Sequence, residues 1–305
     1  MAAKKHKVYG SQVENMVFTI VNTSILIIFS VIMLYPILNT LAISFNNGID
    51  TVRGGIYLWP RQFTLKNYQT ILVSNTIGIA FLNSVTKTII SVVTNVFFTT
   101  MLAYTLSRRE YVLGKFISVM FVLTMYFSAG LIPTYMLMKG LHLVNSYNVY
   151  WVPGILSAFN IMVVRTFIRG IPDSLVESAK ADGAGEFRIF WQIIFPLCLP
   201  ALATIALFVA VGSWNSWFDT FIYNSTNPKL STLQYELQKL LSSAMNQNSN
   251  QTIASVSSEQ IASLQVTPTS IRAAITIFTA VPILIVYPFM QRYFVTGLTL
   301  GGVKG

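Results

Sequence analysis

The sequence predicts an all-α integral membrane protein of six transmembrane helices with both termini in the cytoplasm. Three observations carry that expectation. Of the 305 residues, 53% are hydrophobic and only 10% are charged, against about 25% charged in soluble domains. Six apolar runs each approach the ~20 residues that a helix needs to cross a ~30 Å hydrocarbon layer. Twelve of the 20 Lys and Arg fall on segments that share the side of the N-terminus, the bias that cytoplasmic loops show.

Taken in order, residues 1–15 form a cytoplasmic segment with Lys4, Lys5 and Lys7. The run from Met16 to Phe45 is about twice as long as a signal-peptide core and no small-residue cleavage pattern follows it, so it reads as a retained first span. Residues 46–76 form an outer connection in which Tyr57, Trp59 and Tyr68 suit the membrane interface. The second span covers 77–106, and the charged inner loop "SRREYVLGK" follows. Spans three and four cover 116–138 and 147–168, a loop at 169–192 returns inside, and span five covers 193–213. Residues 214–271 make a long extracytoplasmic loop. In it Leu233, Leu237, Leu240 and Leu241 recur at helical spacing, and the polar tract "NQNSNQTIASVSSEQ" after them reads as a flexible connection. The sixth span covers 272–291; the membrane domain closes at 295, leaving 296–305 as a cytoplasmic tail.

Several function classes drop out on composition. The net charge of +10 comes without any nucleic-acid-binding motif, and the loop bias accounts for it. One cysteine, Cys198, makes no internal disulfide, and His6 and His142 are too far apart to suggest a metal centre. No nucleophile and base are placed together among the spans, so no catalytic residue is expected. A phosphate-binding P-loop is missing as well. The Gly114-Lys115 pair is followed by Phe116 and lacks the earlier glycine that would complete the anion cradle.

Polar residues inside spans call for a separate account. Asn83, Lys87, Ser91 and Asn95 recur every four residues and share a slowly drifting face of span two; Asn160 sits in span four. Two readings stand, a hydrophilic translocation path and hydrogen bonding between helices. For Lys87 a third is snorkelling to the interface. None of the ten acidic residues falls in the middle of an expected span, which argues against an ion-coupled transporter.

The stretch "IPDSLVESAKADGAG" is polar where its surroundings are apolar. Ser174 and Glu177 fit the S-x-x-E capping box, Asp173 suits the positive end of a helix dipole, and Gly183 suits a left-handed C-terminal stop. These signals predict a helix at 175–182. A helix so short is marginal in water, so it is either a capped surface turn or an element docked on a partner. For docking, Ser178, Ala179 and Ala181 permit close approach, and Glu177 and Asp182 supply carboxylates at the rim.

Glu177, Ala179, Asp182, Gly183 and Ala184, followed by Ile194, Pro196 and Pro200, resemble the EAA loop of ABC importer permeases. The tail "GLTLGGVKG" is similar to the ending of maltose-type carbohydrate permeases. The stretches "NNGID" and "GGIYLWPRQFTLKNY", then "GLIPTYMLM", "RTFIRGIPDSLVESA" and "VGSWNSWFD", are similar to those of oligosaccharide importers of the same group, so the likeness runs from about residue 17 to the last. Ser178 departs from the pattern, where alanine is usual, by one hydroxyl. The resemblance implies the ABC importer permease fold in a bacterial cytoplasmic membrane. It implies a coupling helix with Glu177, Ser178, Ala179, Asp182, Gly183 and Ala184, in which Glu177 pairs with an arginine of the ATPase. It also implies a tail whose Gly301, Gly302, Val303 and Lys304 reach between two ATPase subunits. Those subunits carry ATP and Mg, so this chain needs no cofactor and is not an enzyme. The other implied partners are a second homologous permease and an extracytoplasmic sugar-binding protein, with oligosaccharides as cargo. An ion-coupled secondary transporter and a permease for a non-sugar solute are the alternatives.

Overall fold

The computed structural model describes residues 12–108, 110–250 and 266–302, of which 12–13, 243–250 and 289–302 are described by backbone alone. The described residues are helical throughout apart from turns and one isolated bridge, Asn46 with Phe63. They divide into two units, residues 12–71 with 266–277 and residues 72–108 and 110–250 with 278–302.

In the first unit, α1 (Gln12–Ser44) is about 50 Å long at 1.5 Å per residue. Its side chains from Met16 to Leu38 are exposed on every face, the pattern of a helix whose surroundings are themselves apolar. A polar clasp follows it. Asn46 donates to Asp50 (3.0 Å) and Thr51 (3.1 Å) and accepts from the Gln62 amide (2.8 Å). Asn67, at the start of α3 (Lys66–Val73), donates to the Ser44 and Asn46 carbonyls and accepts from Ser270 of the last helix. The hydrogen bond from Asn46, together with the Arg61 ion pair at 3.0 Å, holds the Asp50 carboxyl below its ordinary pKa. Between them lies α2 (Gly48–Val52). A Cβ on Gly48 would stand 2.5 Å from the Thr267 amide nitrogen, so only glycine permits this close approach.

The second unit is built on α4 (Asn75–Ser107), which packs against α7 (Ala158–Ile168) and α11 (Leu199–Asn215). Ile161, Val164 and Ile168, spaced three and four apart, put one stripe of α7 into the core. Ala103, Tyr104 and Leu106 meet them from α4, and Ile194, Cys198, Leu202 and Ile205 from the fifth segment. That segment is not straight. α9 (Glu186–Ile189) runs through a π turn at Phe190–Ile194 into α10 (Phe195–Leu197), and then bends by 79° into α11. Pro196 and Pro200 each lack the amide that would bind four residues back, which localises the bend.

Two expected spans are corrected. The helix expected over 116–138 is broken into α5 (Gly114–Tyr126) and α6 (Leu131–Gly140), with Gly130 at φ +83° between them. Pro133 has no amide to donate to residue 129, and it falls in the first turn of α6, where no such bond is needed. The helix expected over 147–168 is a 3-10 turn at Tyr147–Tyr150, irregular chain around Pro153 and Gly154, and α7 only from Ala158. By length and composition, 3 described helices suffice to cross a membrane, or 4 with the bent pair.

Beyond α11 come α12 (Phe218–Tyr223), a 3-10 turn at Pro228–Leu230 and α13 (Leu233–Asn250). A helix forms where the leucine spacing predicts one, with Leu233 buried and Leu241 exposed, but it runs on through Asn250 into the tract expected to be a loop. Residues 251–260 of that tract lie outside the described residues. Ser84 of α4 accepts the Leu233 amide at 2.9 Å, giving α13 a cap from a distant helix in place of a local one. The last helix, α14 (Pro268–Gly302), carries Pro282 and Pro288 within it. Gly301 and Gly302 are its final residues, while Val303 and Lys304 lie outside the described residues.

Candidate functional site

Two features of the second unit collect the polar residues. At one, the helix expected at 175–182 is α8, Asp173–Ala181. Its C-terminus closes as the glycine predicts. Gly183 stands at φ +79°, its amide binds the Lys180 carbonyl at 3.0 Å, and the Ala184 amide binds the Ala179 carbonyl at 2.9 Å. These are the paired bonds of a Schellman cap.

The N-terminus is otherwise. The expected capping box does not form, because Pro172 occupies the cap position and offers no side-chain acceptor. Ser174 therefore lies inside the helix, and its carbonyl accepts from the Ser178 hydroxyl at 2.8 Å. Freed from capping, Glu177 is exposed and has no hydrogen bond or ion pair with any described residue. Val176 is buried in the chain's own core and Ala179 packs beside it. The helix thus docks on its own chain by one face and presents Glu177 and Ser178 on another.

A clamp that the sequence did not suggest fixes α8. Lys180 pairs with Glu186 (2.8 Å) and Glu110 (3.3 Å), and Glu186 also accepts from the Tyr104 hydroxyl of α4 at 2.6 Å. Its two carboxylate partners, Glu186 foremost, raise the Lys180 pKa above its ordinary value. Arg108 lies over the Tyr104 ring at 5.0 Å and reaches Asp173 at 3.8 Å.

The second feature is a cavity of about 390 Å³ along α4. Lys87, Ser91 and Asn95 line it from that helix and Asn160 from α7, joined by Tyr150, Gly154, Ser157, Phe208, Gly212, Ser213, Ser216 and Asp219. Three members of the polar stripe, Lys87, Ser91 and Asn95, line this cavity, and stripe residues also hydrogen-bond to other segments. Asn95 donates to the Gly154 carbonyl at 2.7 Å and accepts from Asn160 at 3.1 Å. That carbonyl is available because Pro153 and Gly154 interrupt the helix. Lys87 is 1% exposed. Its ammonium binds the Ser216 carbonyl at 2.9 Å and lies 5.1 Å from the centre of the Tyr150 ring, which replaces the snorkelling expectation. Asn83 is not among the cavity residues. It donates to the Lys229 and Ser231 carbonyls at 2.8 and 2.9 Å and so ties α4 to the segment before α13.

Asp219 was the cavity residue hardest to anticipate, since it lies just past an expected span. Its nearest signal was the "VGSWNSWFD" stretch. Among the described residues no three or more His, Cys, Asp or Glu side chains form a group that could hold a metal ion.

The family described as binding-protein-dependent transport system inner membrane component matches residues 1–300. The chain belongs to that family. Among curated relatives, this inner membrane component is 34% identical over 294 residues to the polygalacturonan/rhamnogalacturonan transport system permease protein YtcP of Bacillus subtilis (strain 168). The match covers 96% of this chain and 100% of that one. It is 32% identical to the arabinooligosaccharides transport system permease protein AraQ of Halalkalibacterium halodurans, over 90% of this chain and 92% of the relative. Among solved structures it matches a chain of a bacterial ABC transporter involved in the import of the acidic polysaccharide alginate. There the TM-score is 0.80 at 29% identity, over 94% of this chain and 99% of that one. The helical fold of this inner membrane component is therefore that of ABC importer permeases.

Proposed function

We propose that the chain is the permease subunit of an ATP-driven, binding-protein-dependent importer of oligosaccharides, forming half of a pore with a second homologous permease. The observation that carries this reading is a continuous mechanical link. α8 is clamped through Lys180 and Glu186 to Tyr104 of α4, and the same helix lines the cavity at Asn95, Ser91 and Lys87. Nine residues separate Tyr104 from Asn95, about 13 Å along a rigid helix.

On this reading the coupling loop is Glu177, Ser178, Ala179, Asp182, Gly183 and Ala184. Glu177, Ser178, Asp182 and Gly183 face a separate ATPase that holds ATP and Mg, while Ala179 and Ala184 pack the loop on the chain's own core. The tail residues Gly301 to Lys304 reach the same ATPase pair, and α13 belongs to the face that receives the sugar-binding protein. Lys87, Ser91, Asn95 and Asn160 line the path; Asn83 braces it. The printed names of the three proteins compared above, each of a sugar polymer or oligomer, support the cargo class. Transport is a two-state equilibrium between inward-facing and outward-facing forms, biased because each partner binds one form better.

The test is uptake into proteoliposomes holding this chain, its partner permease and the ATPase, with the binding protein added outside. Uptake is expected to require both ATP and the binding protein. Uptake driven by an ion gradient without ATP would overturn the reading in favour of an ion-coupled carrier, for which Asp219 would be the membrane carboxylate.

Six spans with both termini inside complete the proposal, α5 with α6 and the segment ending in α7 supplying the crossings that are not single long helices. In a Cys198→Ser background, Ser242→Cys on α13 is expected to react with an impermeant thiol reagent in intact cells and Ser178→Cys on α8 to stay unlabelled. Outside labelling of Ser178→Cys contradicts this topology.

A further inference from the structure

We propose that Tyr104 is the positioning residue through which α8 moves α4, and that its hydroxyl sets how much sugar is carried per ATP hydrolysed. This rests on the importer reading above and names the contact within this chain that keeps the two processes in step.

Two routes lead from α8 to the cavity. The chain itself runs on through the π turn at Phe190–Ile194 and the 79° bend before it reaches the cavity residues Phe208, Gly212 and Ser213. π turns and proline bends are where helices kink, so a displacement of α8 that enters here is partly absorbed by a change of bend. The other route crosses from Glu186 to Tyr104 and follows α4, which has neither glycine nor proline from Ile79 to Ser107. That stretch contains no cause of a kink, and it carries Lys87, Ser91 and Asn95 into the cavity.

Tyr104 is placed to make the crossing. It is 5% exposed, its ring lies 6.0 Å from that of Phe190, and Arg108 covers its face at 5.0 Å. Held there, its hydroxyl donates to the Glu186 carboxylate at 2.6 Å, a charge-assisted bond of the stronger kind. Glu186 in turn binds Lys180 of α8 at 2.8 Å. The turn after α4 adds a grip on each end of α8, Arg108 reaching Asp173 at 3.8 Å and Glu110 reaching Lys180 at 3.3 Å. Asp173 and Glu110 are the most exposed of these carboxylates, and exposed ion pairs bind weakly. They orient α8, and the buried tyrosine makes the firm connection to α4.

The test uses the complete importer in proteoliposomes with its binding protein. Initial uptake of trigalacturonate or arabinotriose, whichever the unaltered complex imports, is measured beside ATP hydrolysis in the same preparation. Tyr104→Phe keeps the ring and removes only the hydroxyl, and it should lower the sugar carried per ATP at least threefold. Glu186→Ala should do the same, whereas Glu186→Gln, which still accepts from the hydroxyl, should keep the ratio within threefold. A residue that only supports the fold lowers both activities with the amount of assembled complex and leaves their ratio alone. A change of less than threefold in Tyr104→Phe therefore overturns the proposal, and so does a loss in Glu186→Gln equal to that in Glu186→Ala. If Tyr104→Phe fails to assemble, Glu186→Ala is judged by the same threshold. Each of these results leaves the importer reading intact, whereas an unaltered complex whose uptake does not require ATP overturns both.

Discussion

Glu177→Gln is expected to cut sugar uptake and binding-protein-stimulated ATP hydrolysis by tenfold or more in a complex that retains all its subunits. The structure removes the benign explanation for such a loss. Glu177 closes no capping box, because the cap position is Pro172 and Ser174 lies within the helix. Its carboxylate is exposed and bonds to no described residue, so glutamine costs the isolated chain almost nothing. A partner arginine in a partly desolvated cleft would feel the change, since breaking a truly buried ion pair costs about 3–5 kcal/mol. A wetter cleft reduces that figure. Even a loss of ~1.4 kcal/mol is a factor of ten in an equilibrium constant. The measurement compares subunit retention, stimulated ATPase rate and uptake with the unaltered protein, and normal uptake with all subunits present would leave Glu177 without a coupling role.

Asn95→Leu is expected to give the larger structural loss, lowering the thermal midpoint of the purified complex by several degrees along with uptake. Asn95 is 2% exposed and serves three partners, donating to the Gly154 carbonyl at 2.7 Å and accepting from Asn160 at 3.1 Å and from the Thr99 hydroxyl at 3.4 Å. Leucine fills the volume and serves none of them. Each buried polar group left without a partner costs about 1–3 kcal/mol, and the Gly154 carbonyl has no helical amide to fall back on because Pro153 and Gly154 break the helix. Asn160→Leu alone should cost less, and Asn95→Leu combined with Asn160→Leu should cost less than the two single effects added, since contacting residues are not additive. Strict additivity would show that the two amides do not act as a pair.

The reach of sequence reasoning here follows from the distance over which each feature is specified. The lipid environment, the long first, second and last helices, and the C-terminal stop of α8 depend on residues within a few turns of one another. Gly183 and the apolar runs therefore announced them. The EAA-like residues pointed to α8 for the same reason, but the capping box failed on a local competition, Pro172 taking the position that Ser174 was expected to fill. Pro133, Pro153 and Gly154 were also legible. What they do to spans three and four depends on whether neighbouring helices satisfy the freed backbone groups, as Asn95 does for Gly154.

The remaining features join residues far apart in the chain. Lys87 meets Ser216, Tyr104 meets Glu186, and Ser84 caps α13. No periodicity encodes such pairs, because they exist only once α4, α7 and α11 have packed. By itself the sequence determined that this chain lies in a membrane and carries an exposed polar helix with Glu177 on it. Only the tertiary structure decided that the helix is clamped to α4 and that α4 lines a cavity with a buried ammonium. Apolar periodicity records how each segment meets its surroundings, whereas the clamp and the cavity are set by which segments meet each other.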